Sequence, residues 1–406
     1  QHWASSPQTL VVEHDDWGTC ESHSLGEASV GVGKFTSKSS RLLVLYTGGT
    51  MGMKPNAENA LAPVPGYLTE QIHFLMELHK EDPLPSVTVL EYEDLLDSCD
   101  MGPAQWRKLA EDLRANYEQY DGFVVIMGTD TMAYTASALS FMIENLGKTI
   151  IFTGSQVPFV RTNSDARRNL LFSISLACTL DIPEVCIFFD DKLLRANRSR
   201  KVDSGSFDAF QSPNFPPLAT TGLHVQVNTA LLLPQPKGKL AVHLEMDKAR
   251  VVVVKIVPSF DMKALLRLAG QGAATCQAIV LELYGTGNGP HKDPDFEEAI
   301  VQARKNDVVV IVTSQCASGP VLPFVLPRSL SWLLEHGVVP AHDMTTEATC
   351  AKLAYLFGKG LAPQQVASAM SIPLRGEMTP SCSLKDMEQS LKSRTSLKHQ
   401  VQQGRL

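Results

Sequence analysis

The stretch 42-LLVLYTGGTMGM-53 opens on five apolar residues, Leu42 to Tyr46, and runs into Thr47-Gly48-Gly49-Thr50 without a polar spacer. An unbroken apolar run of that length reads as a buried parallel strand, and glycines directly behind it permit a turn that a Cβ would obstruct. In open α/β sheets ligands bind in the crevice outside the carboxyl ends of the strands. The stretch therefore delivers threonine hydroxyls to where such a fold does its chemistry. Phe123 to Met127, followed by Gly128-Thr129-Asp130-Thr131, repeats the grammar and adds a carboxylate.

Working outward, strand and helix signals alternate: a helix over 68–79, a strand over 87–92, a helix over 103–116, a strand over 123–127 and a helix over 133–145. Strands over 149–152 and 185–189 flank a long helix capped by Ser164 or Asp165. A second series starts near Arg250, with strands at 251–257, 278–283 and 308–312. Its helices are predicted over 261–269, 293–305 and 327–336, with a final one behind the N-cap Thr345. The pattern predicts an α/β protein of two doubly wound parallel-sheet domains, the larger N-terminal. The expected boundaries are a flexible extension over 1–39, domains over 40–224 and 250–380, a linker or short edge strands over 225–249, and a polar tail over 381–406. Residues 54–66, rich in Pro, Asn and Ala, read as a loop placed to act as a lid.

With 44% hydrophobic and 19% charged residues and a net charge of −7, the chain reads as an ordinary globular protein without a nucleic-acid surface. No apolar run reaches the ~20 residues of a membrane span. Eight cysteines include no Cys-x-x-Cys pair and mostly sit in apolar runs, which points to reduced thiols and an intracellular setting. The histidines show no ligand spacing, so no metal is expected. The chain begins at Gln1 rather than Met, which leaves its natural start and any targeting signal open.

A threonine becomes a nucleophile only beside a base or a charged neighbour. Asp130 supplies a carboxylate, Lys201 an ammonium, and turn backbone N–H groups suit an oxyanion, so the parts suggest amide or ester hydrolysis. Competing structural readings exist: Thr50 as a turn hydroxyl, Asp130 as a helix cap, Asp97 to Asp100 as a plain turn, Lys201 as part of a solvated basic face, and Cys99 and Cys316 as packed thiols.

The whole constellation goes further. Tyr46 to Thr50, Asp97-Ser98-Cys99-Asp100-Met101, Gly128 to Met132 and Lys201-Val202-Asp203 together closely resemble the bacterial-type L-asparaginases, especially their cytoplasmic type I branch. The resemblance runs from about Arg41 to Pro380. It implies a cofactor-free amidohydrolase in which Thr50 attacks the side-chain amide of L-asparagine and forms a β-aspartyl enzyme, with weak glutaminase activity beside it. It implies a second triad of Thr129, Asp130 and Lys201, with Asp130 also pairing the substrate α-ammonium. Ser98 would bind its α-carboxylate, with Gly49, Cys99, Asp100 and Gly128 also lining the substrate site. Asn288 would complete the site from a neighbouring subunit of a homodimer or homotetramer, and an effector site would involve Ser314 and Cys316. The lid stretch has no tyrosine to assist Thr50, which leaves Tyr67 or Tyr284, or a slower first step. Two alternatives stand beside this reading: a sensor binding asparagine or aspartate with little turnover, and an asparaginase-like amidase or lysophospholipase-type hydrolase. For the latter the chain has no Gly-x-Ser-x-Gly elbow.

Overall fold

In a computed structural model, which describes residues 40–82, 84–321 and 329–380, the chain folds into a large N-terminal and a smaller C-terminal α/β domain. The extension 1–39 and the tail 381–406 expected from sequence lie outside the described residues. The large sheet takes five parallel strands, β1 (Arg41–Gly48), β2 (Ser86–Leu96), β3 (Gly122–Ile126), β4 (Ile150–Thr153) and β5 (Val185–Phe189). Three antiparallel strands extend it: β6 (Lys192–Arg195), β7 (Ala219–Thr221) and β8 (Val225–Val227). The order is β8-β7-β6-β5-β4-β3-β1-β2. After β1 the chain steps to one side to make β2 and then to the other to make β3. The strand order thus reverses at β1/β3, the crevice where such sheets bind ligands.

Helices cover both faces, which is why the central strands β3, β4 and β5 are buried along their whole length, while the edge strand β2 alternates over its first half. Leu43, Leu45, Phe123 and Val125 enter one core, while Leu42, Val44, Tyr46, Val124 and Ile126 enter the other, the two-residue period of a pleated strand. The covering helices are α1 (Tyr67–Leu78), α2 (Pro103–Asn116), α3 (Met132–Met142) and α4 (Ala166–Thr179).

Two stretches differ from the sequence expectation. The helix predicted to 145 stops at Met142, because Ile143–Glu144 pairs antiparallel with Ala241–Val242 from the segment joining the domains. The predicted loop 54–66 contains a small hairpin, Met53–Pro55 against Leu61–Pro63. Its turn is closed by the Asn56 side chain, which accepts from the N–H groups of Glu58 and Ala60 at 3.0 and 2.9 Å, with Asn59 at φ 60°. Strands of three residues carry no readable period.

The C-terminal domain has four parallel strands, β9 (Val251–Lys255), β10 (Ala278–Leu283), β11 (Val309–Ser314) and β12 (Val339–Pro340), in sequential order. Around them lie α5 (Met262–Gly270), α6 (Pro294–Lys305), α7 (Ser329–Glu335), α8 (Thr346–Gly358) and α9 (Pro363–Met370). The side chain of Thr345 caps α8 as the sequence suggests, and Asp261 and Asp293, read as the first helical residues, are the side-chain caps of α5 and α6. α8 packs on α3, with Tyr355 and Phe141 stacked at a centroid separation of 6.0 Å, so one apolar core runs through both domains. No helix among the described residues is long and apolar enough to cross a membrane.

Candidate active site

Three backbone segments converge at the β1/β3 crevice so closely that only glycine fits. Gly49, at φ 87°, follows β1, and a Cβ there would lie 2.2 Å from the Gly128 nitrogen. A Cβ on Gly128 would lie 2.7 Å from the Ser98 hydroxyl. The register between β1 and β2 jumps after Tyr46, and Gly49 N–H donates to Leu96 O at 3.0 Å, which swings the 97–100 turn against both exits. The residues that follow these contacts, Thr50 and Thr129, are therefore brought to one crevice from two strands. Because the Gly49 N–H is held by Leu96, this glycine shapes the site and does not donate to an oxyanion.

Thr129 is 6% exposed and tied from two sides. Lys201 Nζ donates to Thr129 Oγ1 at 2.8 Å and to Asp130 Oδ1 at 2.7 Å. Thr129 Oγ1 in turn donates to Gln156 Oε1 at 3.3 Å. Lys201 arrives on a two-residue strand, Arg200–Lys201, paired antiparallel with Phe210–Gln211, so it is not part of a solvated basic face. Asp130 does not cap a helix: the N-cap of α3 is Thr131, whose hydroxyl donates to Ser98 O at 2.6 Å. Ser98 is buried, and its hydroxyl oxygen accepts from Asp130 N at 3.2 Å, which leaves its own O–H available to a ligand. Thr50 is half-buried, and among the described residues its hydroxyl has no hydrogen-bond partner.

Gln156 is a contact that the sequence reading passes over as the end of a strand turn. Its position depends on Asp165, read from sequence as a candidate cap of α4. The Asp165 carboxylate turns instead to the backbone N–H groups of Gln156 and Val157 at 3.0–3.1 Å. Gln156 Nε2 then reaches Ser206 O at 3.1 Å and bridges to the loop beyond Lys201. Only the wish of a buried turn for hydrogen-bond acceptors hints at this in the sequence.

The remaining candidates are spread more widely. Cys99 and Cys316 are exposed, a correction to their reading as packed thiols; burial of part of its surface, then Asp97 and Asp100, push the Cys99 thiol up, the opposite of an activated nucleophile. Asp100 is exposed on the same turn. Asn288 closes a tight loop at the end of β10, its N–H donating to Tyr284 O at 2.8 Å. Ser314 and Cys316 line a small cleft with Arg200, Asn214 and Thr346. Tyr67 lies buried under the Lys54 ammonium, 3.7 Å from the ring centroid, at the foot of the hairpin.

Residues 41–232 match the family of the N-terminal domain of asparaginases, and residues 250–370 the C-terminal domain of glutaminases and asparaginases. The chain is 41% identical to L-asparaginase 1 of Escherichia coli K12 over 339 residues, 84% of this chain and 98% of that one. It is 39% identical over 380 residues to the 60 kDa lysophospholipase of Homo sapiens, of which the match spans 64%. Among solved structures, L-asparaginase I of Vibrio cholerae superposes with a TM-score of 0.76 at 39% identity, covering 84% of this chain and 99% of that chain. The chain belongs to the asparaginase family.

Proposed function

We propose that this chain hydrolyses L-asparagine to L-aspartate and ammonia through an ester on Thr50. What supports the reading is the Lys201–Thr129–Asp130 cluster, together with the close approach of Gly49 and Gly128, the residues just before Thr50 and Thr129, in a chain 41% identical to an L-asparaginase. Thr50 Oγ attacks the side-chain amide carbon and its proton passes to the departing nitrogen, which leaves as ammonia. Water, its proton drawn off through Thr129 and Lys201, then attacks the ester and returns Thr50 to its hydroxyl form. The hydrogen bond to Gln156 holds the Thr129 oxygen facing Lys201. The substrate α-ammonium meets the exposed Asp130 carboxylate, and its α-carboxylate meets the Ser98 O–H. No step calls for a metal or an organic cofactor.

Further parts of the reading are the assembly, the setting and the regulation. Asn288 reaches a neighbouring subunit's crevice in a homodimer or homotetramer, the enzyme works in the cytoplasm, and the cleft at Ser314 and Cys316 takes an effector. The last is supported by Arg200, which lines that cleft and adjoins Lys201 in the chain. The domain limits 40–224 and 250–380 belong to the same proposal. A lysophospholipase-type activity is less well supported, because Asp130, Asp203, Ser204 and Glu347 stand around Lys201 beside Ala133, Tyr134 and Val202 and favour a small polar substrate over an acyl chain.

Ammonia release measured across asparagine concentration tests the reading. The parent chain releases ammonia and the Thr50→Ala variant does not. A parent that binds asparagine without turnover contradicts it and favours a sensor. A sigmoidal curve supports the effector site and a hyperbolic one argues against it.

A further inference from the structure

Glu347 sits in the first turn of α8, in the C-terminal domain, with 5% of its surface exposed. Among the described residues its buried Oε2 has no hydrogen-bond partner. A buried carboxylate oxygen left unpaired costs about 1–3 kcal/mol, so a stable chain retains one only where something else depends on it. The side-chain cap of α8 is Thr345, whose hydroxyl accepts from Ala348 N at 3.1 Å; Thr345 and the Glu347 N–H also favour the Glu347 carboxylate, less strongly than Arg200 does. Glu282, held by Thr346 at 2.8 Å, adds a second carboxylate to the neighbourhood, which makes the charge on Glu347 harder still to keep.

Arg200 faces Glu347. Its Nε lies 3.7 Å from Glu347 Oε1. Burial pushes the Glu347 carboxyl up, and the Arg200 guanidinium is the strongest influence the other way. Arg200 is the chain neighbour of Lys201 on the two-residue strand opposite Phe210–Gln211. The pairing continues only to Val202 and Asp203, whose N–H groups donate to Ala209 O at 2.8 and 3.4 Å, so a side-chain anchor adds to what holds so short a strand. Glu347 also shares with Asp130, Tyr134 and Lys201 a cavity of about 430 Å³, so the anchor borders the same space as the Lys201–Asp130 pair.

We propose that Glu347 is a positioning residue for Lys201: it holds Arg200, and through Arg200 the short strand that presents Lys201 to Thr129 and Asp130. The C-terminal domain thereby takes part in the geometry of a triad whose members all come from the N-terminal domain. In this role Glu347 acts through Arg200 and not on the reacting atoms. This inference rests on the asparagine-hydrolysis reading only for its kinetic consequence, since the placing of Lys201 is measurable without turnover.

The test uses the full chain with Glu347→Gln, Arg200→Met and Arg200→Lys. The first readout is the acylation rate of the Lys201 amine by a small anhydride under native conditions, followed by peptide mass. Glu347→Gln and Arg200→Met raise that rate at least about threefold as the strand loosens, while Arg200→Lys, which keeps the charge, stays at the parent value. The second readout is ammonia release: kcat falls about tenfold in the first two variants, KM changes less than about twofold, and the losses do not multiply in the double variant. Unchanged Lys201 labelling in folded Glu347→Gln overturns the proposal, as does a double variant whose losses multiply. Should the parent release no ammonia, the asparagine reading falls while the labelling still decides this one.

Discussion

Lys201 and Lys352 each place an ammonium 2.7 Å from a carboxylate oxygen, that of Asp130 in one case and of Glu377 in the other. The surroundings differ completely. Lys352 and Glu377 are both 0% exposed; Lys352 also donates to Met370 O at 3.1 Å, and Glu377 accepts from Leu374 and Arg375 N–H groups. Lys201 is 17% exposed and Asp130 66%, and their third partner is a hydroxyl. The buried pair has every valence filled and fastens the 374–379 segment beneath α8. The open pair faces solvent and keeps room for a ligand and for protons to move. Distance alone cannot tell a clamp from a site; burial and saturation can.

Four experiments break or sharpen this comparison. Lys201→Met lowers kcat by about 10³-fold while the urea midpoint holds, since an exposed pair adds little to stability; a shifted midpoint with modest kinetic loss would make it a clamp too. Lys352→Met leaves kcat of the folded fraction intact and costs about 3–5 kcal/mol, read by urea unfolding, because it strands a buried charge. The double change Lys352→Met and Glu377→Leu recovers most of that loss, within about 2 kcal/mol of the parent; a double variant as weak as the single would show that the charges themselves are needed.

The smallest effect is in acid. Burial pushes the Glu377 carboxyl up, but the Lys352 ammonium and the two backbone N–H groups outweigh it and hold the carboxyl below its ordinary value. A carboxyl lowered on folding contributes stability that is complete above its unfolded value, near 4.3, and is lost as pH falls through the lower folded one. Urea unfolding at successively lower pH therefore shows a steeper loss in the parent than in the double variant.

The same contrast marks what could be read from the sequence. The run Leu42–Tyr46, the helix starts at Asp261 and Asp293, the cap at Thr345 and the order of the two threonine motifs are local patterns, and the structure builds its strands, helices and exits on them. The family resemblance marked Lys201, which spacing alone would have left in a basic run. Gln156, Asp165 and Glu347 were hidden because each reads as an ordinary turn or helix-start residue. Their side chains are redirected by partners 9 to 147 positions away, as with Asp165 to Gln156, Gln156 to Thr129 and Glu347 to Arg200. The hairpin at 53–63 escaped for a different reason, its strands being shorter than any period they could display.

The account stands on Thr50, not Thr129, as the residue that takes the acyl group. Intact and peptide mass of the Lys201→Met chain, acid-quenched during incubation with L-asparagine, tests this directly, since loss of the relay slows hydrolysis of the ester. The account predicts an added aspartyl group on the peptide that contains Thr50. The same group on the peptide containing Thr129 would contradict it.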